Sequence, residues 1–287
     1  MFVVKNESFL IMDLFYVKKV NFLNDFNTFI DDLPLWSAPF GLRLLDCLKI
    51  RRNVNVLDIG CGEGFPIIEI AARFGKTGKF FGLDPLRKPL KRMELKRKLY
   101  QLPTIQAVQA YAEFLPFRIS YFDLIVSNNG INNVTNLKQT LKECRRTIKP
   151  SGQMVIAVNS EQTMKEFYVL FQMVLGEITN QTKGKIVSQI RSKRRSEKEW
   201  CTLLKEYGFG VKTVLNDQFT MSFSDGTALM EHYLIRQFFL PGWKSLVEVR
   251  KRPAVFQRIE TELNQVALEK GKVSLTIPYV VLDCQAE

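Results

Sequence analysis

The sequence lacks several features of secreted, membrane-spanning or metal-dependent proteins. No apolar run approaches the roughly 18 residues of a membrane span, and no small-residue cleavage site follows the apolar N-terminal stretch. The five cysteines form no C-x-x-C pair, and a single histidine leaves no zinc-binding spacing. We therefore expect a cytoplasmic protein with no metal and no disulfide framework.

What is present is an ordinary globular composition with an excess of positive charge. The 287 residues are 46% hydrophobic and 24% charged, which suits one large domain with a core and excludes wholesale disorder. The formal net charge is +12. That excess indicates either an anionic partner or only a basic surface, and composition does not choose between them.

Short apolar runs alternate with helical patterns through the middle of the chain. The runs predict strands at residues 54–60, 78–85, 104–110, 121–129 and 152–159. Helical patterns lie at 66–75, 87–102 and 136–148. This alternation predicts parallel βαβ units and an α/β, doubly wound sheet.

The flanking regions predict further elements. Helical patterns occur at 22–50, with a break near Pro34 and Pro39, and at 161–178 and 196–209. Probable strands follow at 211–217 and 219–225, and residues 272–283 predict a closing strand. Residues 227–270 predict two helices around the sequence LPGW.

The stretch VLDIGCGEG, residues 56–64, places Gly60, Gly62 and Gly64 directly after the first strand. A glycine turn there lets backbone approach a ligand, and the amides of the following helix favour an anionic group. The NAD fingerprint would need glycine where Phe65 stands. Alone, the triplet fits either a nucleotide-like ligand or an ordinary tight turn.

Asp84 ends the second predicted strand, twenty residues beyond Gly64. A carboxylate at that place can accept hydrogen bonds from both hydroxyls of a ribose. The alternative is an aspartate that caps the turn before Pro85. The two interpretations predict different effects of replacing Asp84, one on ligand affinity and one on stability.

Three further blocks follow in order: YAEFLPF, FDLIVSNNGINNV and LKECRRTIKPSG. With the glycine turn and Asp84, they resemble the class I S-adenosylmethionine-dependent methyltransferases, and most of all the small-molecule enzymes of the ubiquinone/menaquinone-biosynthesis type. The ordered motifs cover about residues 54 to 160. The resemblance implies a doubly wound, Rossmann-like, seven-stranded methyltransferase sheet with an N-terminal helical lid and a helical insertion near the C-terminus. It implies these parts: a helical cap at 1–50, a cofactor-binding core at 51–225, an insertion at 226–270 and the final strand at 271–287.

The resemblance also implies S-adenosyl-L-methionine as the cofactor. Asp58 and the glycine turn would hold its methionyl part, and Asp84 would bind the ribose hydroxyls. Ser127 and Asn128 match the strand end beside the methyl group. The other residues implied for cofactor binding are Gly60, Cys61, Gly62, Gly64, Pro85, Leu86, Tyr111, Ala112 and Glu113.

The adenine side contains one departure from the family pattern. Leu86 would pack near the adenine, and Ala112 with Glu113 matches the acidic turn beside it. Tyr111 stands where the family usually has an acidic residue. An aromatic ring there either stacks on the adenine or belongs to the edge of the core.

The acceptor is less clearly marked. The chain lacks the N/D-P-P-Y/F block of adenine amino methylation and the Pro-Cys pair of cytosine-5 enzymes. Asn129 and Asn132 lie where the acceptor side should open, and Trp36 with Phe40 either walls a pocket or anchors the N-terminal helix. His232, the only histidine, is a structural residue or a general base. We expect a small, largely apolar or aromatic acceptor.

Two alternatives remain open from the sequence. Residues 87–98 and 183–198 each contain seven lysines or arginines, which suits either RNA phosphates or a solvated helix face. An RNA methyltransferase would use them, although no RNA-binding module is appended. The third possibility is a cofactor-binding protein without catalysis, whose surface serves another protein. Oligomeric state is not marked by any feature of the sequence.

Overall fold

The computed structural model describes residues 35–179 and 184–287. Within these ranges seven strands form one sheet, in the order β3-β2-β1-β4-β5-β7-β6. Strands β1 to β5 pair in parallel, and β7 runs antiparallel to β5. The strands are β1 Asn55–Ile59, β2 Lys79–Asp84, β3 Ile105–Gln109, β4 Phe122–Asn128, β5 Ile148–Asn159, β6 Phe209–Phe223 and β7 Val273–Ala286. The predicted seven-stranded, doubly wound sheet is confirmed.

Helices connect and flank these strands. They are α1 Ala38–Asp46, α2 Ile67–Phe74, α3 Arg87–Leu99, α4 Leu137–Thr147, α5 Lys165–Thr179, α6 Gly184–Lys193, α7 Glu197–Glu206, α8 Gly226–Glu231, α9 Leu240–Ser245 and α10 Arg252–Lys270. Local sequence explains their limits. For example, α7 begins at a capping box in which the Ser196 hydroxyl and the Glu199 carboxylate each satisfy the other's backbone amide.

The sequence prediction is wrong in three places. Residues 209–223 form one strand, β6, instead of two. Asp217, which suggests a turn, instead accepts hydrogen bonds from the Arg43 guanidinium at 2.8 Å and the Tyr279 hydroxyl at 3.3 Å.

The LPGW sequence lies inside α9, because a proline fits the first turn of a helix. Helix α6 was not predicted. The helix expected over residues 22–34 lies outside the described residues.

The described residues divide into two compact units. The sheet unit contains residues 35–164, 188–220 and 276–287. Its core packs side chains of β1, β4 and β5 with Trp200 and Leu204 of α7, which are fully buried. This unit carries the ends of the parallel strands, where most of the predicted site residues lie.

The helical unit contains residues 165–179, 184–187 and 221–275. Aromatic side chains hold it together: the Phe167 and Trp243 rings stack with centroids 3.8 Å apart, and Phe171 stacks on Phe256 at 6.1 Å. The Trp243 indole donates a hydrogen bond to the Tyr168 hydroxyl at 3.2 Å. The boundaries proposed from the sequence at 50, 225 and 270 stay a prediction. Across the described ranges, no helix combines the length and apolar character needed to cross a membrane.

Candidate functional site

The three glycines after β1 form a tight turn that leads into α2. All have positive φ, at +71° for Gly60, +53° for Gly62 and +108° for Gly64. A methyl group on Gly60 would lie 2.7 Å from the Cα of Gly130, so this glycine is needed for close packing of two loops. Among the described residues, no atom lies within 4 Å of a methyl group placed on Gly62. Gly62 therefore faces open space, as expected for a position that leaves room for a ligand.

Asp84 is joined to this turn by hydrogen bonds. The Gly62 amide donates to its Oδ2 at 3.2 Å, and the Leu86 amide donates to its Oδ1 at 2.8 Å. Burial raises the pKa of Asp84, and the two amides oppose that rise. A carboxylate offers about four acceptor positions. Asp84 therefore fixes the turn and keeps acceptor capacity for further hydroxyl donors.

Asp58 lies near the end of β1 and is fully buried. Among the described residues, neither of its carboxylate oxygens completes a hydrogen bond. Burial raises its pKa well above the ordinary value; the Ile67 amide at the start of α2 opposes the rise, and the charge of Asp84 adds to it. Buried polar atoms in native proteins are nearly always paired, so Asp58 can accept a further donor at this turn beside the nearby Ile67 amide.

The residues after β2 and β3 divide into exposed and buried sets. Leu86 and Tyr111 are 59% and 64% exposed, and Pro85 is also exposed. Ala112 and Glu113 are buried. Large exposed apolar side chains beside a polar turn offer faces on which a planar ring can lie. The exposed residues thus remain open to a ligand, whereas the buried pair is part of the fold.

Glu113 joins two loops. Its Oε1 accepts hydrogen bonds from the amides of Thr135 and Asn136, at 2.8 and 2.9 Å. These amides lie just before α4, where a helix N-terminus favours a carboxylate. In this structure Glu113 therefore links the turn after β3 to the loop after β4.

Ser127 joins the ends of β1 and β4. Its hydroxyl donates to the Ile59 carbonyl at 2.7 Å and accepts from the Ile131 amide at 2.8 Å. Cys61 is buried, and its amide donates to the Leu83 carbonyl at 3.1 Å. Both residues shape the strand ends on which the candidate site is built.

Four asparagines cluster where β4 and β5 end. Asn128 donates through Nδ2 to the Ser37 carbonyl at 3.0 Å. The Asn132 Nδ2 donates to the Asn159 Oδ1 at 3.1 Å, and the backbone N–H of Asn159 donates to the Asn129 Oδ1 at 3.2 Å. Within the described part of the chain, three of their buried atoms have no partner: Asn128 Oδ1, Asn129 Nδ2 and Asn132 Oδ1. Asn159 was missed by the sequence analysis, although a polar residue ending an apolar strand was the available signal.

Trp36 and Phe40 belong to an aromatic cluster at α1. Phe40 is fully buried, with its ring centroid 4.6 Å from Tyr279 and 5.6 Å from Phe219. Trp36 is only partly buried and packs 5.7 Å from Phe40. The packing of Phe40 is that of an anchor for α1, the second of the two roles considered from the sequence.

His232 lies in the helical unit, directly after α8. Its ring centroid is 5.3 Å from Phe223 and 4.6 Å from Tyr233, and its Nδ1 has no hydrogen-bond partner among the described residues. Burial lowers its pKa, which favours the neutral imidazole. The surroundings are aromatic, which suits a packed side chain.

The second basic cluster is partly used inside the fold. Arg194 is only 8% exposed and donates to the Thr163 carbonyl at 2.9 Å. The Arg195 guanidinium lies over the Trp200 ring, 5.6 Å from its centroid. These two arginines have internal contacts that explain their presence without a phosphate ligand.

The class of protein follows from the parallel sheet, the glycine turn after its first strand and the carboxylate after its second: a Rossmann-like α/β protein that binds a nucleotide-type cofactor. A model of the methyltransferase domain matches residues 50–217, more than half of the chain. The chain therefore belongs to the methyltransferase domain family. This match confirms the resemblance to class I S-adenosylmethionine-dependent methyltransferases, whose cofactor is S-adenosyl-L-methionine.

Similar proteins of known name are demethylmenaquinone methyltransferases. That of Staphylococcus aureus (strain MRSA252) is 26% identical over 183 residues, 64% of this chain and 71% of the relative. That of Oceanobacillus iheyensis is 28% identical over 132 residues, 45% of this chain and 56% of the relative. The chain thus spans little more than half the length of some of these relatives.

Solved structures share the fold. A Bacillus halodurans C-125 protein assigned as a methyltransferase has a TM-score of 0.57 at 19% identity, covering 85% of this chain and 97% of its own. Geranyl diphosphate C-methyltransferase from Streptomyces coelicolor A3(2), solved with Mg²⁺, geranyl diphosphate and S-adenosyl-L-homocysteine, has a TM-score of 0.54 at 13% identity, covering 92% and 85%. At such identities the likeness supports the fold alone.

Proposed function

We propose that the protein transfers the methyl group of S-adenosylmethionine to a small aromatic acceptor of the quinone type. The observation that carries the proposal is the open space at Gly62, set beside Asp84, in a chain of the methyltransferase domain family. The acceptor class is taken from the relatives named demethylmenaquinone methyltransferase. Their name supports a quinone-type molecule and does not by itself define this chain's substrate.

The residues of the turn fit the cofactor. Asp58 completes no full hydrogen bond among the described residues, although the Ile67 amide favours its charged form, and a further donor or a cation at the turn would stabilise that form. Asp84 has acceptor positions left for hydroxyl groups, while Leu86 and Tyr111 expose apolar surface for a planar base. When bound, S-adenosylmethionine supplies a methyl group that is electrophilic because it is attached to a sulfonium.

The protein's own contribution is position and polarity. Asn129 and Asn132 are partly exposed, and Asn129 Nδ2 and Asn132 Oδ1 are buried without a partner among the described residues, so a rotation of these amides would bring a donor and an acceptor to the methyl acceptor. A quinol carries a hydroxyl that can do both. Holding the acceptor in line with the methyl group can contribute a large part of the rate, because orientation replaces a random encounter.

Two measurements test the proposal. Calorimetry on cofactor-free protein should show binding of S-adenosylmethionine or S-adenosylhomocysteine, and none of NAD. The second measurement incubates the protein with cofactor labelled in its methyl group, together with either a demethylated naphthoquinol or total RNA. We expect label in the organic extract that contains the quinol. Label found only in RNA would contradict the acceptor class, and failure to bind either form of the cofactor would contradict the whole proposal.

A further inference from the structure

The solvent-facing side of α3 combines positive charge with leucine. At about 100° per residue, six exposed positions fall within about 120° of the helix circumference. They are Arg87, Lys88, Lys91, Leu95, Lys98 and Leu99. Leu95 and Leu99 are 65% and 75% exposed. The one carboxylate of the helix, on Glu94, borders this face and belongs to a half-buried residue.

The apolar surface continues beyond the helix. Tyr100 follows α3 directly and is 57% exposed, and Leu42 of α1 is 56% exposed. Both line a groove of about 570 Å³. Its other apolar walls are Leu45, Phe65 and Ile68. A basic helix with two projecting leucines thus borders a partly apolar groove.

We propose that this face of α3 docks on the surface of an anionic lipid bilayer. A peripheral helix with lysines among exposed leucines suits the interface, where acidic headgroups attract the cations and the leucines leave water. The chain's net charge of +12 adds a long-range attraction to such a surface. RNA phosphates would match the lysines of this face but would give the two exposed leucines no apolar environment. Docking on a bilayer would depend on this surface alone, so it can be tested separately from the proposed methyl transfer.

The test is co-sedimentation of the full chain with lipid vesicles, without cofactor or acceptor. We expect binding to vesicles of mixed phosphatidylcholine and phosphatidylglycerol, weakened by salt, and little binding to phosphatidylcholine alone. Replacing Lys91 and Lys98 by glutamine should reduce partitioning about fivefold for each lysine. Replacing Leu95 and Leu99 by serine should reduce it at least roughly tenfold together.

Matched controls carry the same chemical changes elsewhere. Lys205→Gln with Lys212→Gln removes two exposed charges, and Leu268→Ser removes a leucine that is 82% exposed. These variants should bind like the unaltered protein, and circular dichroism should show every variant folded. Equal losses in the controls, or unchanged binding of the α3 variants, would overturn the proposal. RNA binding that is lost with Lys91 and Lys98, in a protein that ignores the anionic vesicles, would overturn it in favour of an RNA surface.

Discussion

Replacing Gly62 by alanine separates a ligand-binding turn from a merely structural one. In the ligand-free protein the added methyl group meets no atom of the described residues within 4 Å, so it clashes with none of them. The backbone angle φ of +53° remains, and an L-residue in this region costs about 1–2 kcal/mol. We therefore expect Gly62→Ala to fold, with that loss in the free energy of unfolding. If the cofactor fills the space, its affinity should fall at least about tenfold, or about 1.4 kcal/mol.

Gly271 offers a matched control. It follows α10 with φ of +75° and a left-handed conformation, and a methyl group there also has no neighbour within 4 Å in the described part of the chain. Gly271→Ala should therefore lose a similar free energy of unfolding in urea titrations. Calorimetric affinity for S-adenosylhomocysteine should be unchanged in Gly271→Ala and reduced in Gly62→Ala. Equal affinity in the two variants would refute the assignment of the turn to the cofactor.

Four further substitutions test separate parts of the site. Asp58→Asn should raise the free energy of unfolding of the ligand-free protein near pH 8, because burial raises the pKa of Asp58 and so destabilises its charged form. The gain should vanish near the ordinary pKa of aspartate, because the unaltered protein loses this stability only as pH rises through the raised pKa. Phe40→Ala should lower the free energy of unfolding in urea by about 3–5 kcal/mol, because Phe40 is fully buried. Trp36 is only partly buried, so Trp36→Ala should lower it less. Trp36→Ala should raise KM for the acceptor only if Trp36 forms a wall of the acceptor pocket. His232→Gln should leave kcat within about threefold, whereas loss of a general base would cost about a hundredfold or more.

Sequence alone predicted the sheet, because the apolar runs that mark its strands are local patterns, and it predicts a site at the strand ends. Apolar runs mark the five parallel strands, and Gly60 and Asp84 stand at strand ends that meet at one edge of the sheet. The error at Asp217 occurs where partners distant in sequence decide the conformation. Asp217 stays within a strand because Arg43 and Tyr279, far away along the chain, satisfy its carboxylate. No local pattern contains that information.

The family motifs in the sequence do not distinguish residues that would contact the cofactor from residues that position the loops around it. Glu113 and Ser127 both lie in family motifs, yet the side chain of each is already hydrogen-bonded to backbone groups of neighbouring segments. Replacing either would move the loops, so cofactor affinity would fall whether or not the side chain contacts the cofactor. Asp84 has the same ambiguity, because it fixes the turn through the amides of Gly62 and Leu86. Adding a methyl group at Gly62 removes none of these hydrogen-bonding side chains and enters unoccupied space, so a loss of affinity there reports on contact with the ligand.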